Sequence, residues 1–145
     1  MTTWGEFANA SPELAAQAEQ RLNSRVSYLA TVQKDGGPRV HPVTPIIGGG
    51  HLFIFMEPTS PKGFDLRRDG RYALHCGVED NDGGGGEVYL SGRATFIEDA
   101  GLRAVAVQAS RYTPKERYIL FELQMDSALA TTYEDDKPVR LNWKA

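Results

Sequence analysis

The chain has 145 residues, of which 41% are hydrophobic, 24% charged and 10% aromatic, ordinary globular values that exclude a disordered or collagen-like class. That length suits one domain, residues 1–145, burying roughly two thirds of the surface its unfolded chain would expose. A formal net charge of −3 gives no electrostatic reason to bind a nucleic-acid backbone or an anionic membrane.

No stretch approaches the ~18 consecutive apolar residues of a membrane span. The opening MTTWGEFANASPELAAQ has no basic segment followed by an apolar one, so a cytoplasmic protein is expected. Cys76 is the only cysteine, which rules out an internal disulfide.

Ser11-Pro12-Glu13-Leu14 reads as a helix start, with a capping hydroxyl, proline at the first helical position and an acid near the positive dipole end. The helix is predicted to run to about residue 23, with Leu14, Ala15, Ala18 and Leu22 on one side to lie against a sheet. Residues 26–33 alternate like a strand and end at the turn cluster Asp35-Gly36-Gly37-Pro38. Residues 39–47 return as a second strand. Because Pro42 and Pro45 cannot donate to a ladder, this strand is predicted to be bulged, short or at an edge. Gly48-Gly49-Gly50 turns the chain into a third strand, His51-Leu52-Phe53-Ile54-Phe55-Met56.

Ser60 before Pro61 repeats the signal of a helix start, where first-turn amides lack helical acceptors and carry partial positive charge beside Lys62. By itself this is either a capped surface helix or an anion site. Residues 71–78 follow as a strand. The 79–86 stretch, EDNDGGGG, is expected to be a flexible acidic loop. Its Asp80-Asn81-Asp82-Gly83 run is not a calcium loop, because the glycine is misplaced and Ser91 stands where a bidentate glutamate is needed. Its glycines are not followed by the Gly-Lys-Ser/Thr of a phosphate loop.

Residues 87–98 alternate as a long strand in which Gly92 marks a bulge or a close backbone contact. Asp99 starts a helix with Leu102, Val105, Ala106 and Ala109 as its apolar face. Strands are expected over 118–125 and 128–133, then a polar turn at 134–138 and a last strand to Trp143. Six or seven strands with few helices predict a mainly β fold, a small β-barrel with helical covers.

His41, His51 and His75 lie on separate strands without zinc-site spacing, and neighbours His75 and Cys76 point to opposite faces. They are expected to be packing residues, with no metal site. No G-x-S-x-G signature occurs. Arg39, Lys62, Arg67, Arg68 and Arg71 cluster in an otherwise acidic chain. Arg39 and Lys62, with the hydroxyls of Thr59 and Ser60, suit a phosphate monoester, while the strand and rings from Phe53 to Glu57 suit a flat heteroaromatic ring.

Three segments, LATVQKDGGPRVHPVTPI, HLFIFMEPTSPKGFDLRRDGRYAL and EVYLSGRATFIED, resemble the pyridoxamine 5′-phosphate oxidase-like, FMN-binding split β-barrels over residues 24–99. The resemblance implies a homodimer that binds FMN, or in some branches the deazaflavin F420 or haem, in clefts between subunits. It implies that Arg39, Ser60 and Lys62 hold the cofactor phosphate. Val40, His41, Phe55 and Met56 would lie along the flavin ring, with Glu57 and Pro61 lining the same loops. Pro61 stands where the true oxidase has a second basic residue, and the chain lacks that enzyme's arginine-rich C-terminal segment. The implied activity is therefore hydride transfer between flavin and a small unsaturated or aromatic substrate, with a deazaflavin-dependent reductase or a non-catalytic flavin or haem carrier as alternatives. Trp143 or Arg140 would close over the ring.

Overall fold

A computed structural model describes residues 1–79 and 85–145. Its elements are α1 (Trp4–Ala10), α2 (Pro12–Leu22), β1 (Ser27–Val32), β2 (Pro38–Val43), β3 (Ile46–Gly48), β4 (His51–Met56), α3 (Pro61–Arg68), β5 (Arg71–Cys76), β6 (Glu87–Ile97), α4 (Ala100–Ala109), β7 (Ile119–Glu134) and β8 (Lys137–Lys144). The Asp80-Asn81-Asp82-Gly83 run lies outside the described residues.

All eight strands of the described residues belong to one sheet, antiparallel at every pairing, in the order β2-β1-β5-β6-β7-β4-β3 with β8 added on β7. The fold is mainly β with helical covers, consistent with a split β-barrel. The strand predicted over 39–47 is two strands. Pro42 sits on β2, which pairs only with β1, so its missing N–H costs no ladder bond. Thr44-Pro45 then breaks the run, and β3 pairs with β4 at the other end of the sheet. The two strands predicted over 118–133 are instead one, β7. Its first residues pair with β4 and its last with β8, so the sheet forks along it.

Gly92 explains how β7 stays continuous. Ser91 faces Ser127 while Gly92 faces Met125, leaving Asp126 as the extra residue of a bulge. A Cβ on Gly92 would overlap the Gln124 carbonyl oxygen and stand 2.8 Å from Met125 Cα. Both sequence readings of this glycine, bulge and close contact, hold together.

One core lies between α1, α2 and the inner sheet face, where Phe7, Leu14, Leu22, Leu29, Leu74, Leu90 and Leu123 are fully buried. Each such side chain contributes about 1.5–3 kcal/mol. A second core gathers Ile46, Phe53, Phe55 and Leu120 beneath Ala106 of α4, with Leu102, Val105 and Ala109 packed around it as their spacing predicts. Asp99 caps α4 through Leu102 N, which donates to its Oδ2 at 2.7 Å.

Helix α1 was not among the predicted elements, although Thr3-Trp4-Gly5-Glu6 carries its signal. Glu6 N donates to Thr3 Oγ1 at 3.2 Å and Thr3 N donates to Glu6 Oε1 at 3.0 Å, a reciprocal capping box. Ser11 does not cap α2 with its hydroxyl. It is shared by two helices, its N–H closing α1 on Phe7 O and its carbonyl accepting from Ala15 N. Cys76 is buried with its Sγ accepting from Val88 N, while His75 Nε2 lies 3.4 Å from Glu87 on the opposite side, as alternation predicts. Among the described residues no three metal-ligating side chains cluster.

Candidate functional site

A cleft of about 640 Å³ forms where the two ends of the sheet curl towards each other. One wall comes from His41, Pro42, Val43 and Thr44 at the end of β2, and the other from Phe55, Met56 and Glu57 at the end of β4. Thr59, Ser60, Pro61 and Lys62 lead into α3 and form its floor, and Tyr112 and Tyr118 reach in from the segment after α4. Proline on β2 and the break at Thr44-Pro45 thus place a strand end beside the helix start.

Ser60 has extended backbone (φ −64°, ψ 128°) but its hydroxyl does not cap α3; it accepts from Lys62 Nζ at 2.7 Å. The amides of Gly63 and Phe64 bond back to Ser60 O, and Pro61 has no N–H. The outward array of first-turn amides expected from the sequence is therefore reduced to that of Lys62 among the described residues. Lys62 itself is 8% exposed, and among the described residues no carboxylate lies within ion-pair distance of it. Burial pushes its ammonium below the ordinary lysine range. A buried cation without a counter-ion at the floor of a cleft is a site that an anion would stabilise.

Glu57 is held at the rim by Arg117, whose Nε and Nη2 both donate to its carboxylate at 2.6–3.2 Å. These bonds keep its carboxyl below the usual range. Above Phe55 the Arg103 guanidinium lies 5.1 Å from the ring centroid, on the α4 side. Partial burial raises the Tyr112 phenol above its ordinary value.

Of the nine residues predicted from the sequence, seven line this cleft: His41, Phe55, Met56, Glu57, Ser60, Pro61 and Lys62. Arg39 lies in a neighbouring cleft of similar volume, together with Phe64, Asp65 and Arg68, and the two clefts meet along Thr59 and Pro61. Val40 lines neither. Alternation along β2 turns it to the opposite face from Arg39 and His41, where it is 64% exposed. Trp143 packs against Phe7, with ring centroids 4.9 Å apart, and Arg140 lies on the exposed β8, so neither lines the cleft of its own chain.

Sequence reading missed Tyr112, Tyr118 and Asp65. The tyrosines follow α4 in an irregular segment with no local signal. Asp65 did have one, since Lys62, Asp65 and Arg68 are spaced three apart and share a helix face.

The family model described as pyridoxamine 5′-phosphate oxidase matches residues 14–138, most of the chain. The chain belongs to the pyridoxamine 5′-phosphate oxidase family. Solved structures share its fold. A haem-binding protein from Mycobacterium smegmatis is 20% identical with a TM-score of 0.69, over 89% of this chain and 57% of that one. The chain thus spans little more than half that protein's length. The haem storage protein HutZ from Vibrio cholerae is 17% identical with a TM-score of 0.61, covering 79% of this chain and 89% of its own. An F420 reductase is 14% identical with a TM-score of 0.58, covering 76% and 94%. At such identities the likeness to these structures is one of fold. No curated protein matches the sequence.

Proposed function

We propose that this chain binds a phosphate-bearing flavin, FMN in the first instance, in the cleft between β2 and β4 and serves as a flavin-dependent oxidoreductase. The observation that carries the reading is Lys62, a buried ammonium without a carboxylate partner among the described residues, hydrogen-bonded to Ser60 beside an aromatic-lined cleft. Those residues fit the group: Lys62 and Ser60 offer charge-assisted bonds to a phosphate, with Arg39 adding positive charge from beyond Pro61. Phe55, Met56 and Tyr118 offer apolar surface to a flat ring and keep water from it. A bound flavin supplies hydride exchange with a small unsaturated or aromatic substrate, and the protein's share is binding, orientation and exclusion of solvent.

A homodimer belongs to the same proposal. On the outer face of β1 and β2, Tyr28 is 48% exposed, its register partner is Pro42, and Val40 pairs with Ala30 two positions along. This apolar strip is continuous with the cleft, because Pro42 belongs to both. A second copy laid on it would bury the strip and cover the cleft in one step.

Reconstitution tests the reading. Purified protein incubated with FMN is expected to retain a yellow chromophore and to run as a dimer by light scattering. Protein that takes up neither FMN nor F420 would overturn it. A haem carrier is the second reading, favoured by His41 on the cleft wall. Its Nδ1 is bonded to Pro42 O at 3.0 Å and its Nε2 has no partner among the described residues. A Soret band after haem titration, lost in His41→Ala, would select that reading.

A further inference from the structure

Beyond the loop that floors the cleft, Asp65 gathers three donors onto one buried carboxylate. It is 2% exposed. Its Oδ2 accepts from Arg39 Nε and from Thr31 Oγ1, each at 2.7 Å, and its Oδ1 accepts from Arg68 Nη2 at 3.1 Å. The partners come from β1, β2 and the last turn of α3, so the carboxylate joins two strands to a helix. Burial alone would push its carboxyl up. The hydrogen bonds from Arg39 and Thr31 and the two guanidinium charges outweigh that, and the net shift is downward.

One carboxylate faces two guanidiniums, so the cluster keeps a net positive charge. Arg39 spends only its Nε–H and Arg68 only one Nη2–H on Asp65, and the rest of each planar fork has no hydrogen-bond partner among the described residues. Both arginines line the neighbouring cleft, which meets the Lys62 cleft along Thr59 and Pro61.

We infer that Asp65 is a positioning residue, setting Arg39 and recruiting Arg68 as a paired guanidinium clamp. The clamp grips a phosphate or carboxylate group of the ligand from the side of the 59–61 loop opposite Lys62. The inference rests on the cofactor reading for the identity of that ligand, but the clamp itself can be read with inorganic phosphate.

The sign of one substitution separates positioning from simple electrostatics. Asp65→Asn removes a negative charge beside both arginines, and charge alone would then tighten anion binding. Positioning predicts the reverse, because the guanidiniums lose their common anchor. Inorganic phosphate is titrated into isotopically labelled protein, and the Arg39 and Arg68 Nε–H resonances are followed. A saturable shift of both signals is expected in the wild type, with affinity about 10-fold weaker in Asp65→Asn and several-fold weaker in Arg68→Gln. Arg68→Gln keeps the Asp65–Arg39 pair and serves if Asp65→Asn does not fold. Signals unmoved by phosphate in the wild type, or affinity unchanged or tighter in the folded variants, would overturn the inference. A parallel FMN titration separates the two readings. Phosphate behaving as expected with no FMN uptake removes the cofactor reading and leaves the clamp. FMN uptake that depends on Lys62 but not on Asp65 or Arg68 removes the clamp and leaves the cofactor reading.

Discussion

Replacing Lys62 with methionine separates the contribution of this residue to the fold from its contribution to the ligand. In the ligand-free protein the ammonium is buried, paired with no carboxylate among the described residues and bonded only to Ser60 Oγ at 2.7 Å. Methionine of similar length removes the desolvation penalty and gives up one hydrogen bond, so ligand-free stability is expected to change by less than about 1 kcal/mol or to rise. With ligand the sign reverses. A charge-assisted hydrogen bond to phosphate contributes about 1.5–3 kcal/mol, so FMN affinity should fall roughly 10- to 150-fold. Riboflavin lacks the phosphate, and its affinity should be the same in both proteins. Urea denaturation gives the first quantity, and quenching of flavin fluorescence by wild type and variant gives the others. Equal loss for FMN and riboflavin would place the effect on the ring, and undiminished FMN binding would remove Lys62 from the site altogether. Either result refutes the argument from an unpartnered buried charge.

Three further outcomes follow from the same structure. FMN affinity measured from about pH 7 to about pH 10 should be highest at the acid end. Burial lowers the Lys62 pKa, the protonated form is the binding form, and affinity is lost as pH rises through that lowered value, earlier than for an exposed lysine. Gly92→Ala should cost about 3 kcal/mol or more in urea denaturation, because the added methyl meets the backbone at Gln124 and Met125 rather than a side chain that can turn away. Asp136→Gly should stabilise the protein by about 0.5–1 kcal/mol, since both central residues of the β7–β8 turn have positive φ, 52° and 63°, and glycine adopts that region without strain.

What could be read from the sequence divides along the range of the interactions. Periodicity placed α2, α4, β1 and β6, because one-sided burial imposes a local repeat on residue type, whereas β4, buried on both faces, and β5 were legible from their apolar, β-forming composition. Pro42 and Pro45 announced an edge, but their local chemistry could not show that the run would serve two opposite ends of one sheet. The continuity of β7 depended on Gly92, a residue of its neighbouring strand, so the 118–133 pattern alone broke it in two. At the site, the Ser60–Lys62 corner was legible because three adjacent residues make it. Arg39 was expected beside Lys62 and stands across Pro61 from it, held by a carboxylate 26 positions away in sequence. Val40 was placed on the ring by its position in a matching segment, whereas strand alternation turns it outward.

The break between β2 and β3 bears on how the cleft can admit anything at all. Each of these strands is hydrogen-bonded on one side only, β2 to β1 and β3 to β4, and the cleft opens between the end of β2 and the end of β4 beyond its pairing with β3. Parting those two ends ruptures no ladder bond between them, so entry does not require unfolding of the barrel. Amide exchange should therefore follow a gradient, fastest along β2 and β3 and slowest at the β6–β7 pairing in the middle of the sheet. A ligand bridging the two ends would slow exchange at β2 and β4 together, which makes the gap a built-in gauge of occupancy.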